Sequence, residues 1–392
     1  ISRHIDLKAR MLKEDGKCFY TIGSSGHEGN AVFGRVFSLN DIAFLHYRST
    51  PFFIERSKLA HGATPIYDTA LSFAASSEDP ISGGRHKVIG SKKLNIPPQT
   101  STIASHLPKA VGTAVSIDRA KDLSIQERNL KDGSIVLCSF GDASANHATA
   151  LSAFNTASLI QHSGGHVPIV FICEDNGIGI SVPTEESWIE KNFSQRNGIK
   201  YIKADGLNII DLLHKTSLAN EFSKTKRKPV FLHMKTVRLL GHAGSDIEVG
   251  YKELNEIEAI EFNDPLLHTA RIMIDKKLLS KEDIISIYEN SRMRVSQVFD
   301  QACTRPKLNN SKNVMKSITA SNIKRKTPSL PNEAKRREVF DKEYQRLNNK
   351  NHMAGLINYA LSDILLRYSN TVVFGEDVGK KGGVYHITAN LQ

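Results

Sequence analysis

Hydrophobic and polar positions change period repeatedly along residues 100–240, which predicts helices that alternate with strands. Short β-branched runs predict buried strands at 134–140, 166–173 and 229–235. Apolar positions at helical spacing predict helices that begin at Pro108 and span 147–161 and 209–222. Parallel strands need such crossover helices, so we predict an α/β fold with a doubly wound, mostly parallel sheet and helices on both faces.

The flanking regions complete the predicted organisation of the chain. Two charged amphipathic helices, at roughly 252–277 and 281–302, close the first domain. Beyond them, helical spacing over 352–368 and an apolar run at 371–374 predict a helix and a strand. The predicted parts are a first domain at 1–302, a basic flexible linker at 303–345 and the start of a second, similar domain at 346–392.

The 392-residue chain carries a formal net charge of +11, which would fit a nucleic-acid partner. The charge is concentrated, however, because residues 301–340 hold ten Lys or Arg and two acidic residues. That segment also contains prolines and runs of Asn and Ser with little apolar periodicity, which indicates a solvated linker. Since the chain lacks an aromatic-basic motif, we expect no nucleic-acid partner.

The spacing of the cysteines and the hydropathy of the chain indicate in which cellular compartment we expect the protein. The 4 cysteines are widely separated and form no Cys-x-x-Cys pair, which predicts reduced thiols and a cytoplasmic location. No apolar stretch approaches the ~20 residues that a membrane helix needs, so we expect no membrane partner. The chain starts at Ile1 and stops within a pattern at Gln392, and we expect it to be a piece of a longer protein.

Polar residues follow two neighbouring predicted strands, at the edge where such sheets bind ligands. Gly141-Asp142-Ala143 closes the first strand and Asp175-Asn176 closes the second. Carboxylate and amide oxygens are hard ligands, and Mg²⁺ typically combines one or two carboxylates with phosphate oxygens and water. The pattern therefore predicts half of a magnesium diphosphate site. The alternative is a plain turn, which Gly-Asp at a strand end forms about as often.

The spacing of these two segments resembles the thiamine diphosphate fingerprint, Gly-Asp-Gly followed by Asn-Asn, with Ala143 and Asp175 as departures. Three further motifs contribute: Tyr47-Arg48, Ser101–Ser105 and Gly241–Asp246. With them, the chain resembles the thiamine-dependent 2-oxoacid dehydrogenases, specifically the decarboxylating first component that acts on pyruvate or branched-chain 2-oxo acids.

The resemblance covers most of residues 10–270 with the family's alpha part, and residues 352–392 are similar to the opening of its beta part. It implies a thiamine diphosphate-binding fold and the fused alpha-beta organisation of bacterial members, truncated here within the beta part. In this family a Glu of the beta part meets the cofactor's N1′. That residue would lie beyond Gln392, and Glu376 belongs to an earlier segment.

The resemblance implies that this chain holds Mg²⁺ and thiamine diphosphate. The metal ligands would be Asp142, Asn176 and the carbonyl of Ile178. Backbone N–H groups at the entry to the next helix would bind the diphosphate, and they belong to Gly141, Ala143 and Ser144. Ala143 replaces the family's usual Gly, which would cost about 1 kcal/mol if that position requires a positive φ.

Three other motifs gain roles through the same resemblance. Tyr47 and Arg48 would contact the diphosphate, since an Arg fork suits bidentate hydrogen bonds to phosphate. Ser101 and Ile103 would lie against the thiazolium ring, where the apolar side chain helps to keep the cofactor bent. His242 would be catalytic, on a glycine-flanked loop where an imidazole can transfer protons near pH 7. The alternatives are a surface pair, a core isoleucine and an inert loop histidine.

The implied function is oxidative decarboxylation of a 2-oxo acid, with transfer of the acyl group to the lipoyl domain of a dihydrolipoyl acyltransferase core. Branched-chain substrates are favoured over pyruvate by the Gly-Arg-His and Gly-His-Ala-Gly segments, and His27 and His86 are weaker candidates on the substrate side. A homodimer of fused chains is expected. The alternatives are a transketolase-type carboligase and a non-catalytic scaffold subunit.

Overall fold

A computed structural model describes residues 1–19, 22–99, 101–126, 128–319 and 329–391. The chain forms two compact units, the first made of residues 1–118 and 130–317 and the second of residues 119–129 and 318–392. The first unit contains the sheet and all of the predicted site residues. The domain boundaries predicted from the sequence stay a prediction.

The first unit is built on a 5-stranded parallel sheet in the order β1-β4-β5-β9-β8. Two antiparallel hairpins, β2-β3 and β6-β7, lie outside it. The strands are β1 Ile42–Phe44, β2 Ile89–Ser91, β3 Ile96–Gln99, β4 Val136–Gly141, β5 Ile169–Asp175, β6 Ile178–Gly179, β7 Val182–Pro183, β8 Lys200–Asp205 and β9 Val230–Lys235.

Helices connect these strands, as a doubly wound sheet requires. They are α1 Ser2–Glu14, α2 Asn30–Val36, α3 Thr50–Ser57, α4 Pro65–Phe73, α5 Leu107–Asp122, α6 Ala148–His162, α7 Trp188–Phe193, α8 Ile209–Lys226, α9 Leu254–Glu261, α10 Pro265–Asp275, α11 Lys281–Cys303, α12 Ser311–Met315, α13 Glu333–Phe340 and α14 Met353–Arg367. Each helix within the described ranges is too short or too polar to cross a bilayer.

Both faces of the sheet are covered, because side chains alternate along each strand. On one face, Phe140 and Phe171 pack with Phe154 of α6, and their rings meet at centroid distances of 5.6 and 5.0 Å. On the other face, Leu137 and Ile172 belong to a cluster that includes residues of α2, α3 and α8. The predicted doubly wound α/β sheet is therefore confirmed, and its central strand β5 is buried throughout.

The prediction for the first unit missed an edge strand and joined two helices into one. Strand β8 was not predicted, because its sequence Lys-Tyr-Ile-Lys-Ala-Asp is largely polar and its position at the sheet edge leaves Lys200 and Lys203 exposed. The single helix predicted at 252–277 is two helices. Asp264 accepts a hydrogen bond from the backbone N–H of Leu266 and starts α10 as an N-cap, with Pro265 at its first turn.

The second unit is helical in its described part. Arg336 of α13 donates two hydrogen bonds to the carboxylate of Asp363 of α14, at 2.7 and 3.0 Å. The strand predicted at 371–374 is wrong, since these residues adopt no regular structure. A strand needs a partner for its backbone groups, and none of the described residues pairs with this segment. Phe374 is accordingly 87% exposed.

The predicted linker 303–345 includes helices α12 and α13, and residues 320–328 fall outside the described residues. Its first part is attached to the first unit. The carbonyl of Pro306 accepts hydrogen bonds from the hydroxyl of Ser76 and the backbone N–H of Ser77, at 3.0 and 2.8 Å. Arg85 donates to the carbonyls of Asn313 and Val314, at 2.7 and 2.8 Å. This part is therefore an ordered segment of the first unit.

Replacing residues 318–332 by a neutral linker of equal length should leave the melting temperature of the protein nearly unchanged. The reason is that the sequence of this segment contains few apolar side chains that could form a core. As a comparison, replacing residues 305–316 should lower the melting temperature, because it removes the contacts of Pro306, Asn313 and Val314. Thermal denaturation measures both variants, and an equal loss of stability in the two would contradict this expectation.

Candidate active site

A cavity of about 540 Å³ opens at the carboxyl ends of β4 and β5. Every residue predicted to bind the cofactor or metal lines it: Tyr47, Arg48, Ser101, Ile103, Gly141, Asp142, Ala143, Ser144, Asn176, Ile178 and His242. These residues come from segments up to 195 positions apart, and the sheet topology brings them together because parallel strands end at one edge.

Asp142 lies at the floor of this cavity. It directly follows β4 and begins a 3₁₀ turn, Asp142–Asn146, that leads into α6. Its carboxylate is buried and accepts a hydrogen bond of 2.6 Å from the hydroxyl of Thr184. Burial, reinforced by the nearby charge of Asp175, raises the pKa of Asp142 to about 6. A desolvated carboxylate of this kind gains from a cation, since the cation stabilises its charged form.

Asn176 and Ile178 belong to a tight turn after β5. The side-chain Oδ1 of Asn176 accepts a hydrogen bond of 3.1 Å from the backbone N–H of Ile178. The chain then enters the β6-β7 hairpin, which lies against Ala143. A Cβ atom at Gly179 would be 2.9 Å from the Cβ of Ala143, so glycine is required for this close approach. Asp142, Asn176 and Ile178 thus line the cavity together, from two adjacent strand ends.

Ala143 itself is unstrained. Its φ is not positive, because it lies inside the 3₁₀ turn that follows β4. The cost of about 1 kcal/mol that a positive φ would impose on this alanine is therefore absent. Its methyl group instead packs on the hairpin at Gly179.

Two buried guanidinium groups face the cavity. Arg48, 3% exposed, donates to the carbonyl of Gly23 at 2.7 Å and to Nδ1 and the carbonyl of His242 at 3.1 and 3.2 Å. Arg238, 2% exposed, donates to the carbonyl of Ile180 at 2.7 Å and to the hydroxyl of Tyr251 at 2.8 Å. Neither forms an ion pair with a carboxylate within the described residues. Buried cations without a paired acid provide a site for an anionic ligand.

The loop that carries His242 is ordered by Asp246. The carboxylate of Asp246 accepts hydrogen bonds from the backbone N–H of His242 and the hydroxyl of Tyr251, at 2.5 and 2.6 Å. Burial, together with the charges of Arg48 and Arg238, lowers the pKa of His242 to about 4. The expectation that this imidazole titrates near pH 7 is therefore wrong. Because Nδ1 accepts from Arg48, the ring proton lies on Nε2 and the neutral ring is a donor there.

The sequence profile of the family described as "Dehydrogenase E1 component" matches residues 1–311. This chain belongs to that family. The structure agrees with this membership, since the parallel sheet and the cavity at its edge both lie within the matched residues.

Individual relatives have low sequence identity to this chain, although two of the three matches cover about three quarters of it. "2-Oxoisovalerate dehydrogenase subunit alpha, mitochondrial" of Mus musculus is 26% identical over 303 residues, which are 75% of this chain and 64% of the relative. "2-Oxoisovalerate dehydrogenase subunit alpha" of Bacillus subtilis (strain 168) is 26% identical over 314 residues, or 78% of this chain and 88% of the relative. "Pyruvate dehydrogenase E1 component subunit alpha, mitochondrial" of Dictyostelium discoideum is 26% identical over 186 residues, or 47% and 48%. The chain therefore spans less than two thirds of the mouse relative.

Membership of the E1 family implies thiamine diphosphate as cofactor. The lining of the cavity fits this group. Asp142, Asn176 and Ile178 offer oxygen atoms of the hard kind that Mg²⁺ prefers. The unpaired guanidinium groups of Arg48 and Arg238 supply the positive charge that a diphosphate needs.

Ser101 and Ile103 form another part of the cavity wall of this E1 chain. The alternative that Ile103 is a core residue is wrong, because its side chain is 44% exposed. The exposed side chain of Ile103 provides an apolar surface in this wall, on which the ring of a bound ligand can pack. Thr100, next to this segment, lies outside the described residues.

His27 and His86 do not themselves line the cavity, and their role on the substrate side stays a prediction. His27 is fully buried beneath it, and burial lowers the pKa of its ring to about 4. His86 is half-buried in the turn at 82–86, where its backbone N–H donates to the hydroxyl of Ser82 at 3.1 Å.

Five cavity residues were missed by the sequence analysis: Ile22, His46, Gly179, Ile180 and Arg238. Two of them carried a usable signal. His46 directly precedes the Tyr47-Arg48 pair, and Arg238 follows β9 at the same edge of the sheet as Asp142. The other three belong to a loop and a hairpin whose positions depend on contacts distant in sequence.

Proposed function

We propose that the protein containing this chain catalyses oxidative decarboxylation of a 2-oxo acid and transfers the acyl group to the lipoyl domain of a dihydrolipoyl acyltransferase. One observation carries the proposal. Hard oxygen ligands, two unpaired buried guanidinium groups and the loop histidine line a single cavity in a chain of the E1 family. The named relatives act on 2-oxoisovalerate or pyruvate.

In this proposal the chain binds the cofactor and controls its surroundings. Thiamine diphosphate supplies the electron sink for cleavage of the bond to the carboxylate carbon. Asp142, Asn176 and Ile178 would hold the Mg²⁺. Arg48 would hold the diphosphate, with Tyr47 beside it, as the guanidinium lies 5.2 Å from the centre of that ring.

The remaining cavity residues would complete the diphosphate site and position the ring. Backbone N–H groups of Gly141, Ala143 and Ser144 would bind diphosphate oxygens. The aliphatic side chain of Ile103, with Ser101 beside it, would lie against the thiazolium ring. His242 would donate a hydrogen bond from Nε2 toward the reacting atoms.

Branched-chain 2-oxo acids are the substrates we favour. Isoleucine side chains from three separate segments line the cavity, namely Ile22, Ile103, Ile178 and Ile180. Such a wall suits an aliphatic side chain, and each extra methylene group in an apolar pocket is worth about 1–3 kcal/mol of discrimination. The mouse and Bacillus subtilis relatives are both 2-oxoisovalerate dehydrogenase subunits.

The full-length protein should bind thiamine diphosphate in a Mg²⁺-dependent way and decarboxylate 2-oxoisovalerate at least about tenfold more efficiently than pyruvate. Calorimetry measures the first quantity, and turnover with an artificial electron acceptor measures the second. Two outcomes contradict the proposal. Absence of cofactor binding favours a scaffold subunit, and ketol transfer between sugar phosphates without 2-oxo acid oxidation favours a carboligase.

We also propose that the full-length protein is a homodimer of fused chains in the cytoplasm. The alpha-like residues would hold the diphosphate, and beta-like residues would hold the pyrimidine from the other side. Light scattering should therefore give twice the mass of the full-length chain. A monomer with full catalytic activity would contradict this arrangement.

A further inference from the structure

A carboxylate lies buried directly beneath the cavity, one residue before the turn that carries Asn176. Glu174 is fully buried on β5, and its Oε2 accepts hydrogen bonds from Nδ1 of His27 at 2.6 Å and from Nδ2 of Asn30 at 3.0 Å. Nδ1 of His46 is 3.2 Å from the same oxygen. Nothing in the proposed chemistry assigns a role to Glu174 or His27, although both are polar groups that are costly to bury.

The hydrogen bonds continue from this carboxylate to the cavity. Because Nδ1 of His27 donates to Glu174, its Nε2 carries the lone pair in the neutral ring. Nε2 lies 3.0 Å from Nδ2 of Asn176, so it accepts a hydrogen bond from that amide group. The amide nitrogen is therefore fixed toward His27, and Oδ1 is fixed away from it. An amide has two orientations of similar shape, and this chain of bonds favours the same one as the hydrogen bond from the backbone N–H of Ile178 to Oδ1.

We propose that Glu174 and His27 are positioning residues that hold Asn176 with its oxygen facing the metal site. Glu174 sets which nitrogen of His27 accepts, and His27 sets which end of the Asn176 side chain faces the cavity. The inference rests on the proposed magnesium diphosphate site. In this inference, the affinity for the cation also depends on Glu174 and His27. Both residues are fully buried and neither lines the cavity.

The same side chains could instead bind a metal ion directly. His27, His46 and Glu174 each present a ligand atom, and these atoms lie within 4.8 Å of one another. A transition metal held by two imidazoles and a carboxylate would occupy that space. The hydrogen bonds favour the positioning role, because both ring nitrogens of His27 already have partners in Glu174 and Asn176.

The test is the affinity of the full-length protein for Mn²⁺, measured by the paramagnetic resonance signal of the free ion in the presence of thiamine diphosphate. His27→Leu should weaken Mn²⁺ binding about 10–100-fold, which is the usual cost of losing a partner of a metal ligand. His27→Gln should stay within about threefold of wild type, because its amide group both donates and accepts. His4→Leu is the matched control, since His4 is a buried histidine that packs on Tyr288 outside the cavity.

A double-mutant cycle separates positioning from a general structural effect. In an Asn176→Ala background, His27→Leu should cause no further loss of Mn²⁺ affinity, because the residue through which it acts is gone. An additive loss, or an unchanged affinity in the folded single variant, overturns the inference. Absence of Mn²⁺ binding by the wild type in the presence of thiamine diphosphate overturns the proposed function, and the inference with it.

Two measurements on the wild type complete the test. The ¹⁵N resonances of labelled histidine should show that the proton of the His27 ring is on Nδ1. This measurement uses the wild type, so it does not depend on whether a variant folds. A proton on Nε2 contradicts the proposed chain of bonds. Stoichiometric binding of Co²⁺ without thiamine diphosphate, lost in His46→Ala, would instead show that the three buried side chains are metal ligands.

Discussion

Asp142→Ala should reduce the Mg²⁺-dependent affinity for thiamine diphosphate by at least about 100-fold. Asp142 is the carboxylate in the proposed ligand set, and a ligand should matter at least as much as the outer partners, whose loss costs about 10–100-fold in metal affinity. Without the cation, the diphosphate would meet Arg48, Arg238 and backbone donors alone. Isothermal calorimetry on the full-length protein measures this affinity.

The same substitution should not unfold the protein. Burial raises the pKa of Asp142 to about 6, so its protonated form contributes stability that is present below about pH 4 and is lost as the pH rises through 6. At pH 8 the cofactor-free protein therefore holds a charged carboxylate at a cost in stability. The effect of the substitution on the melting temperature should therefore be more favourable at pH 8 than at pH 4, where the protonated carboxyl still contributes to stability.

Asp205→Ala is the matched control. Asp205 ends β8 at the same edge of the sheet and accepts a hydrogen bond from the backbone N–H of Leu207, but it does not line the cavity. Its removal should leave the cofactor affinity unchanged. Equal affinities in Asp142→Ala and wild type would refute the assignment of Asp142 as a metal ligand.

The part of the site predictable from sequence lies at the ends of β4 and β5. Both strands are continuous apolar runs, because helices cover both faces of a parallel sheet, and the polar residues that follow them stand out. The sequence alone therefore places Asp142 and Asn176 at one edge of the sheet. The same reasoning failed for β8, whose exposed lysines hide its strand character.

Residues that act through long-range contacts could not be found in this way. His27 and Glu174 are 147 positions apart, and no local pattern links them. The hydrogen bonds from Arg238 to Ile180 and Tyr251 depend on how a hairpin and a loop pack beside the cavity. The lowered pKa of His242 likewise follows from burial of its ring and from the charge of Arg48, which is 194 positions away. Sequence identifies a histidine on a loop, whereas its protonation depends on its neighbours.

His242→Ala should leave decarboxylation with an artificial electron acceptor measurable, while transfer of the acyl group to lipoamide falls by about 10²–10⁴-fold. The histidine lines the cavity, its Nδ1 is occupied by Arg48, and its Nε2–H remains available as a donor. A positioned donor of this kind can supply the proton that a thiolate or another leaving group takes up during the transfer. The two assays on one preparation measure the two steps separately.

The substitution also has an indirect effect, since Arg48 loses a hydrogen-bond partner when the imidazole is removed. The affinity for thiamine diphosphate must therefore be measured in the same variant and should change less than about tenfold, because the carbonyls of Gly23 and His242 still accept from Arg48. His242→Gln should recover part of the transfer activity, as its amide N–H can take the place of the Nε2 donor. His214→Ala, at an exposed histidine of α8, should leave both assays unchanged. An equal loss in the two assays would mean that His242 serves cofactor binding or folding, and its role in acyl transfer would be refuted.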